Sequence, residues 1–233
     1  MPNDLVAIDI SHWQPEPDFE KVAASGIVGV ILKATEGQTN IDATFRRRYD
    51  AALAAGLAVS SYHFMRPGNI VGQMNNYLNT VKPRQGERVC LDHEDSLVSL
   101  ADLESAVEYL MGDSRDLQIT IYSGHVIKEQ LGGRRSDILA DNTSLWIAQY
   151  SSSPTWPTAT WPTWSLWQYT DGATVDGITG AVDGDRFNGS ADNCRRWFGP
   201  AGEAPAPEAR IVSISIDAPD DVTVQIAVNG ELL

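Results

Sequence analysis

The chain has 233 residues, 42% hydrophobic and 21% charged, and its 17 basic and 31 acidic side chains leave a formal net charge of -14. That length and apolar content suit one sizeable core with a small appendage. The acidity opposes nucleic acid as a partner, because phosphate contacts need a basic surface.

No run approaches the roughly 18 apolar residues of a membrane span, so membrane insertion is not expected. The opening MPNDLVAIDI lacks the basic flank and long apolar core of a secretory signal, so secretory export is not expected either.

In chain order, apolar, β-branched and aromatic runs predict eight strands, at 5–11, 29–35, 58–64, 88–94, 118–124, 144–150, 165–170 and 181–187. Segments of helical character follow the first five. In NIDATFRRRYDAALAAGL, Ile41, Phe45, Tyr49, Ala52 and Leu53 recur at one-face helical spacing, with Gly56 as a C-terminal stop. In SLADLESAVEYLMG, Ser99 is the expected cap and Gly112 the stop. The later connections SSSPTWPTATWPTW and DGATVDGITG are proline-rich and glycine-rich, which excludes full helices.

Alternating strands and helices predict a parallel sheet, and eight strands a barrel. The expected fold is therefore α/β, a modified TIM-like (β/α) barrel of eight strands and about five helices, with a small C-terminal β segment. It occupies residues 1–199. Residues 200–209 read as a linker, and residues 210–233 as a hairpin-like tail around an APDD turn. Six acids and one arginine fall in 201–233. A lone hairpin is marginal in water, so the tail is expected to pack on the barrel, bind the partner surface or form a homo-oligomer.

Side chains alternate faces along a strand. Val89, Leu91 and His93 then share one face of the fourth strand, and Cys90, Asp92 and Glu94 the other. On the first strand, Ile8 and Ile10 oppose Ala7, Asp9 and Ser11. With the apolar faces under the helices, Asp9, Asp92 and Glu94 point inward near the strand C-termini, where barrel active sites are built. Closure sets the last strand beside the first, and Asp183 and Asp185 share one parity, so Asp183 reaches the same mouth. Other strand ends supply Glu36, Tyr62, Tyr122, Gln149, Tyr150 and Gln168. An acidic cleft edged with aromatic rings suits a sugar better than a phosphate.

His12, His63, His93 and His125 show no metal-ligand spacing and read as structural hydrogen-bonders. Neither a metal nor a cofactor is called for. Trp156, Trp161, Trp164 and Trp167 suit sugar stacking or loop packing equally. Cys90 and Cys194 read as unpaired thiols of a reducing cytosol, and the run Arg46–Arg48 as a solvated helix face paired with neighbours such as Asp50.

The motifs DISHWQ (9–14), KATEG (33–37), YHFMRP (62–67), LDHE (91–94), IYSG (121–124), LWIAQY (145–150), LWQYT (166–170) and VDGDRFNG (182–189) resemble, in order, those of glycoside hydrolase family 25 lysozymes. The resemblance spans residues 4 to about 198. It implies a muramidase cutting the β-1,4 bond between N-acetylmuramic acid and N-acetylglucosamine, with bacterial peptidoglycan as partner. The family's Asp-x-Glu motif falls on Asp92 and Glu94, its first-strand aspartate on Asp9 and its last-strand aspartate on Asp183. Asparagine often stands in the family where this chain has Asp185.

Glu94 is the expected general acid, kept protonated by crowding and burial, with Asp92 ionised. The expected setting is a bacteriophage endolysin, held in the host cytoplasm until it acts on the wall. A bacterial autolysin and a hydrolase of another acetamido polymer such as chitin are the alternatives.

Overall fold

The computed structural model describes residues 5–199, together with the backbone of 227–228 and 231–232. Its barrel strands are β1 (Ala7–Ile10), β2 (Gly29–Glu36), β4 (Ala58–Phe64), β5 (Arg88–Asp92), β6 (Gln118–Ser123), β7 (Thr143–Ala148), β8 (Leu166–Ala173) and β9 (Val182–Phe187). A two-residue strand, β3 (Asn40–Ile41), pairs antiparallel with the end of β2. The order β1-β9-β8-β7-β6-β5-β4-β2 closes through a direct β1–β2 pairing, giving the expected eight-stranded barrel.

Seven strands run parallel, as the alternation of strands and helices predicts, but β9, which follows a loop connection, is antiparallel to both β1 and β8. The cause is chain length: a parallel return needs a dozen or more residues, and only 174–181 separate β8 from β9. That short connection folds back on the barrel wall, burying Val175 and Ile178, and Gly177 accepts a backbone hydrogen bond from Asp18. Gly177 has φ +94°, and a Cβ there would collide with the Asp18 carbonyl, so only glycine lets the two segments meet.

Helices α1 (Phe19–Ala24), α2 (Phe45–Ala54), α3 (Ile70–Val81), α4 (Leu100–Met111) and α5 (His125–Leu131) follow β1, β3, β4, β5 and β6. Two further short helices bring the number among the described residues to seven rather than about five. Gly132 and Gly133, both at positive φ, break the fifth crossover into α5 and α6 (Asp137–Asn142). The last, α7 (Ala191–Trp197), follows β9.

Ser99 and Asp102 form a reciprocal capping box on α4, an arrangement that typically contributes about 1 kcal/mol. Helix α2 buries Phe45, Tyr49 and Ala52 as its spacing predicts. Ile41, assigned from sequence to the same helix face, instead lies in β3 and is 58% exposed.

Two apolar layers result. Between strands and helices, Ile8, Ile10, Val30, Leu32, Val89 and Leu91 pack with Val22, Phe45, Met74 and Leu103. Inside the barrel, Ala7, Ile31, Ala58, Cys90, Trp146 and Leu166 pack with Cys194 and Phe198. The Phe198 ring lies where a Cβ on Gly29 would stand, so α7 and its end plug the barrel. The strand alternation read from the sequence is the one observed on β1 and β5.

The linker at 200–209 and most of the tail lie outside the described residues. Within the tail, β10 (Ala227–Val228) pairs antiparallel with β11 (Glu231–Leu232).

Candidate active site

The strand termini open on a cleft of about 300 Å³ whose walls include Asp9, Asp92, Glu94 and Asp183, with Tyr62, Tyr122, Tyr150 and Gln168. Strand β1 supplies Asp9, and the β1–β9 ladder sets Asp183 directly opposite it. Strand β5 supplies Asp92, and Glu94 follows two residues on, at the open mouth.

A hydrogen-bonded string braces the floor. Tyr122 and Tyr150 donate to Gln168 Oε1 at 2.9 and 3.1 Å, and Gln168 Nε2 donates to Asp9 Oδ2 at 2.8 Å. The amide is thereby oriented, with its oxygen facing the phenols and its nitrogen the carboxylate.

Three of the residues expected in the cleft lie elsewhere. Asp185 is fully buried beneath it, accepting a bond from Trp146 Nε1 at 2.7 Å. Because β9 runs antiparallel, two residues along the strand lead from the mouth into the barrel. Glu36 joins a chain of ion pairs along the rim, to Lys33 at 2.6 Å and to Arg66 at 2.7 Å, with Arg66 passing on to Asp95 at 3.1 Å. It lines a neighbouring depression. Gln149 turns outward, where its oxygen accepts from Lys128 at 2.5 Å.

The cleft also contains residues the sequence reading missed: Ser11, Trp13, Lys33, Phe64 and Trp146. Lys33 carried a usable signal, since it is the one charge within the apolar run GVILKAT. Trp13, 79% exposed, sits on the β1–α1 loop. That loop is held by Arg48, whose buried guanidinium donates to the carbonyls of Ser11 (2.6 Å) and Gln14 (2.7 Å) and pairs with Glu16. Only part of the expected solvated arginine face is therefore correct. Arg46 pairs with Asp50 at 2.6 Å in solvent, whereas Arg48 is a buried clamp, because α2 packs that position against the loop. Trp161 and Trp167 are buried in packing, with Trp156 and Trp164 against them, and none of the four lines the cleft.

Electrostatics set the proton inventory. Burial, then the charges of Asp185 and Asp183, lifts Asp9 well above the usual carboxylate range. Burial also raises Asp183, to about 6. Asp92 is pushed up strongly by burial and then by Glu94, and its Oδ1 has no hydrogen-bond partner. Glu94, exposed at the rim, is raised by partial desolvation of its carboxyl in the cleft, with a hydrogen bond to Asp92 opposing the effect and the charge of Asp183 adding to it. Asp92 and Glu94 therefore titrate as a hydrogen-bonded pair that resists double ionisation and shares one proton. Tyr62 and Tyr122 are raised as well, by burial and then by Asp92 and Glu94 respectively, so both phenols remain proton donors.

Asp185→Asn is expected to stabilise the fold at neutral pH. Burial, then the charge of Asp183, raises the Asp185 carboxyl, so the folded state keeps a proton that the unfolded chain releases above about pH 4. Stability is then lost as pH rises from that value through the folded-state pKa. Asparagine keeps the oxygen that Trp146 needs and carries no charge. Its melting temperature should exceed the wild-type value at pH 7.5, each kcal/mol giving about 2–4 °C, and the gain should vanish at pH 4. A lower melting temperature at pH 7.5 would contradict this account.

Comparison with known proteins gives the family. The sequence profile of Glycosyl hydrolases family 25 matches residues 8–178. The autolytic lysozyme of Clostridium acetobutylicum is 32% identical over 190 residues, covering 79% of this chain and 56% of that protein, so the match spans little more than half of that relative. Lysozyme M1 of Streptomyces globisporus is 28% identical over 203 residues, covering 79% of this chain and 68% of that protein.

Among solved structures, a bacterial lysozyme from Streptomyces coelicolor superposes with a TM-score of 0.73 at 27% identity, covering 87% of this chain and 99% of that one. The muramidase from Acremonium alcalophilum gives 0.72 at 28% identity, over 82% and 97% respectively. A profile match over most of the barrel, with lysozymes among the relatives and the same fold among solved structures, shows the family: the chain belongs to glycosyl hydrolase family 25 and is a glycoside hydrolase.

Proposed function

We propose that the barrel is a peptidoglycan muramidase, hydrolysing the β-1,4 bond between N-acetylmuramic acid and N-acetylglucosamine. The observation that carries the reading is the convergence of Asp9, Asp92, Glu94 and Asp183 on one cleft walled by Tyr62, Tyr122 and Tyr150. The lysozymes and muramidases among its relatives support it.

Glycoside hydrolysis needs a proton for the leaving oxygen and a partner for positive charge at the anomeric carbon. Glu94, at the open mouth, is assigned the proton donor and later the base. Asp92, at the end of β5, stands only two residues before Glu94, poorly placed to attack from behind. An acetamido carbonyl on the substrate can attack instead, the substrate-assisted exception to the two-carboxylate scheme. In that step Asp92 accepts the acetamido N–H, and the bond supplies its partnerless Oδ1. Hydrogen bonding to the charged form favours ionisation, so the substrate leaves Asp92 charged and the shared proton on Glu94. Asp9, braced by Gln168, and Asp183 beside it position Asp92 and the sugar.

The test is the anomer first released from peptidoglycan, read by NMR. Retention is expected. Initial inversion would sink acetamido assistance and turn attention to Asp183 or Asp9 as the base activating a water.

As setting we propose a bacteriophage endolysin acting on the wall of its host, with the autolysin as rival. Expression in a bacterial host should lyse the cells only when a membrane-opening protein is co-expressed; lysis without one would favour the rival. The acidic segment after Pro200 is proposed to add wall binding or self-association, measurable as the solution mass of the full chain and its retention on purified walls.

A further inference from the structure

A depression of about 370 Å³ adjoins the acidic cleft and shares Glu94, Tyr122 and Tyr150 with it; His125, Lys128 and Gln149 complete its polar lining. His125 and Lys128 stand three residues apart on α5, which puts both on one face. The Lys128 ammonium donates to Gln149 Oε1 at 2.5 Å and to Thr155 Oγ1 at 3.3 Å. Gln149 Oε1 also accepts the Thr155 backbone N–H at 3.1 Å, and the Gln149 amide donates to Ser151 Oγ at 2.9 Å. The loop after β7 is thus folded around the amine.

Both partners of Lys128 are neutral. Among the described residues no carboxylate lies within ion-pair distance of it, whereas Lys33, the other lysine of the cleft region, is neutralised by Glu36 at 2.6 Å. An ammonium has three donors, and two are used. A partly desolvated cation with neutral partners is costly unless an anion completes it. Here it stands at the flank of a strongly acidic cleft, in a chain of net charge -14.

We propose that this depression binds a carboxylate carried by the lactyl ether of muramic acid, with Lys128 as its charge partner and His125 beside it. The inference rests on the muramidase reading and deepens it. The lactyl ether is what distinguishes muramic acid from glucosamine, and it ends either in a free carboxylate or in a peptide that bears carboxylates. A cation next to Glu94 therefore reads the sugar that flanks the scissile bond.

The test compares wild type, Lys128→Met and Lys128→Arg on three substrates: native peptidoglycan strands, the same strands with their carboxyls amidated, and peptide-free strands. For wild type, amidation should raise KM about tenfold with kcat little changed, the scale of one hydrogen bond to a charged group. Lys128→Met should show the raised KM on native strands and no further rise on amidated ones, while Lys128→Arg should recover the sensitivity to amidation. Wild-type KM on peptide-free strands identifies the source: a low value places the carboxylate on the lactyl group, a raised value on the peptide. If Lys128→Met remains as sensitive to amidation as wild type, or Lys128→Arg recovers nothing, the proposal is overturned. Absence of reducing-end release by wild type from every strand would instead remove the muramidase reading, and this inference with it.

Discussion

Glu94→Gln is expected to fold and to bind glycan, yet to release reducing ends from peptidoglycan about 10²- to 10⁴-fold more slowly, the usual contribution of a positioned general acid. Folding should survive because Glu94 lies past the end of β5 at the open mouth, outside both apolar layers. Glutamine fills nearly the same space and can hydrogen-bond, but it has no proton to give to a leaving oxygen. Turnover within a factor of a few of wild type, in a variant with an unchanged melting temperature, would remove Glu94 from the acid role.

Asp92→Asn is expected to cost about 10²- to 10³-fold in kcat, the range for losing one preorganised electrostatic group at a developing charge. The structural outcome should be opposite in sign. Asp92 is a buried carboxyl whose folded-state pKa is pushed up by desolvation and then by Glu94, so replacing it removes a group that resists ionisation as pH rises above the ordinary carboxylate range. The variant should therefore melt at or above the wild-type temperature at pH 7 while turning over slowly. Mass spectrometry during wild-type turnover supplies the second check. A glycosyl ester trapped on Asp92 would make it the nucleophile and overturn acetamido assistance, whereas an unmodified chain agrees with it.

The parts of this site that were legible in the sequence are those governed by the two-residue period of a strand. Asp9, Asp92 and Glu94 follow from the apolar faces of β1 and β5, and Asp183 from closure of the last strand on the first. What the period cannot report is a change of direction or of register. Asp185 has the right parity but lies deep, because β9 descends into the barrel. Glu36 follows a register shift between Lys33 and Thr35, which breaks the alternation on which strand-end predictions rest. Trp13 depends on a contact 35 positions away, between its loop and Arg48, that no local pattern encodes. Arg48 itself was hidden in a run of three identical charges, two of which do face solvent as their composition suggests.

The two cysteines bear on where such a molecule can work. Both are free, and neither side chain reaches the surface; burial pushes each thiol up to about 12. Reactivity belongs to the thiolate, which burial disfavours at both positions, and neither sulfur is exposed to solvent. The fold therefore needs neither an oxidising environment to complete it nor a reducing one to protect it. The two thiols thus carry no record of the compartment in which the barrel acts.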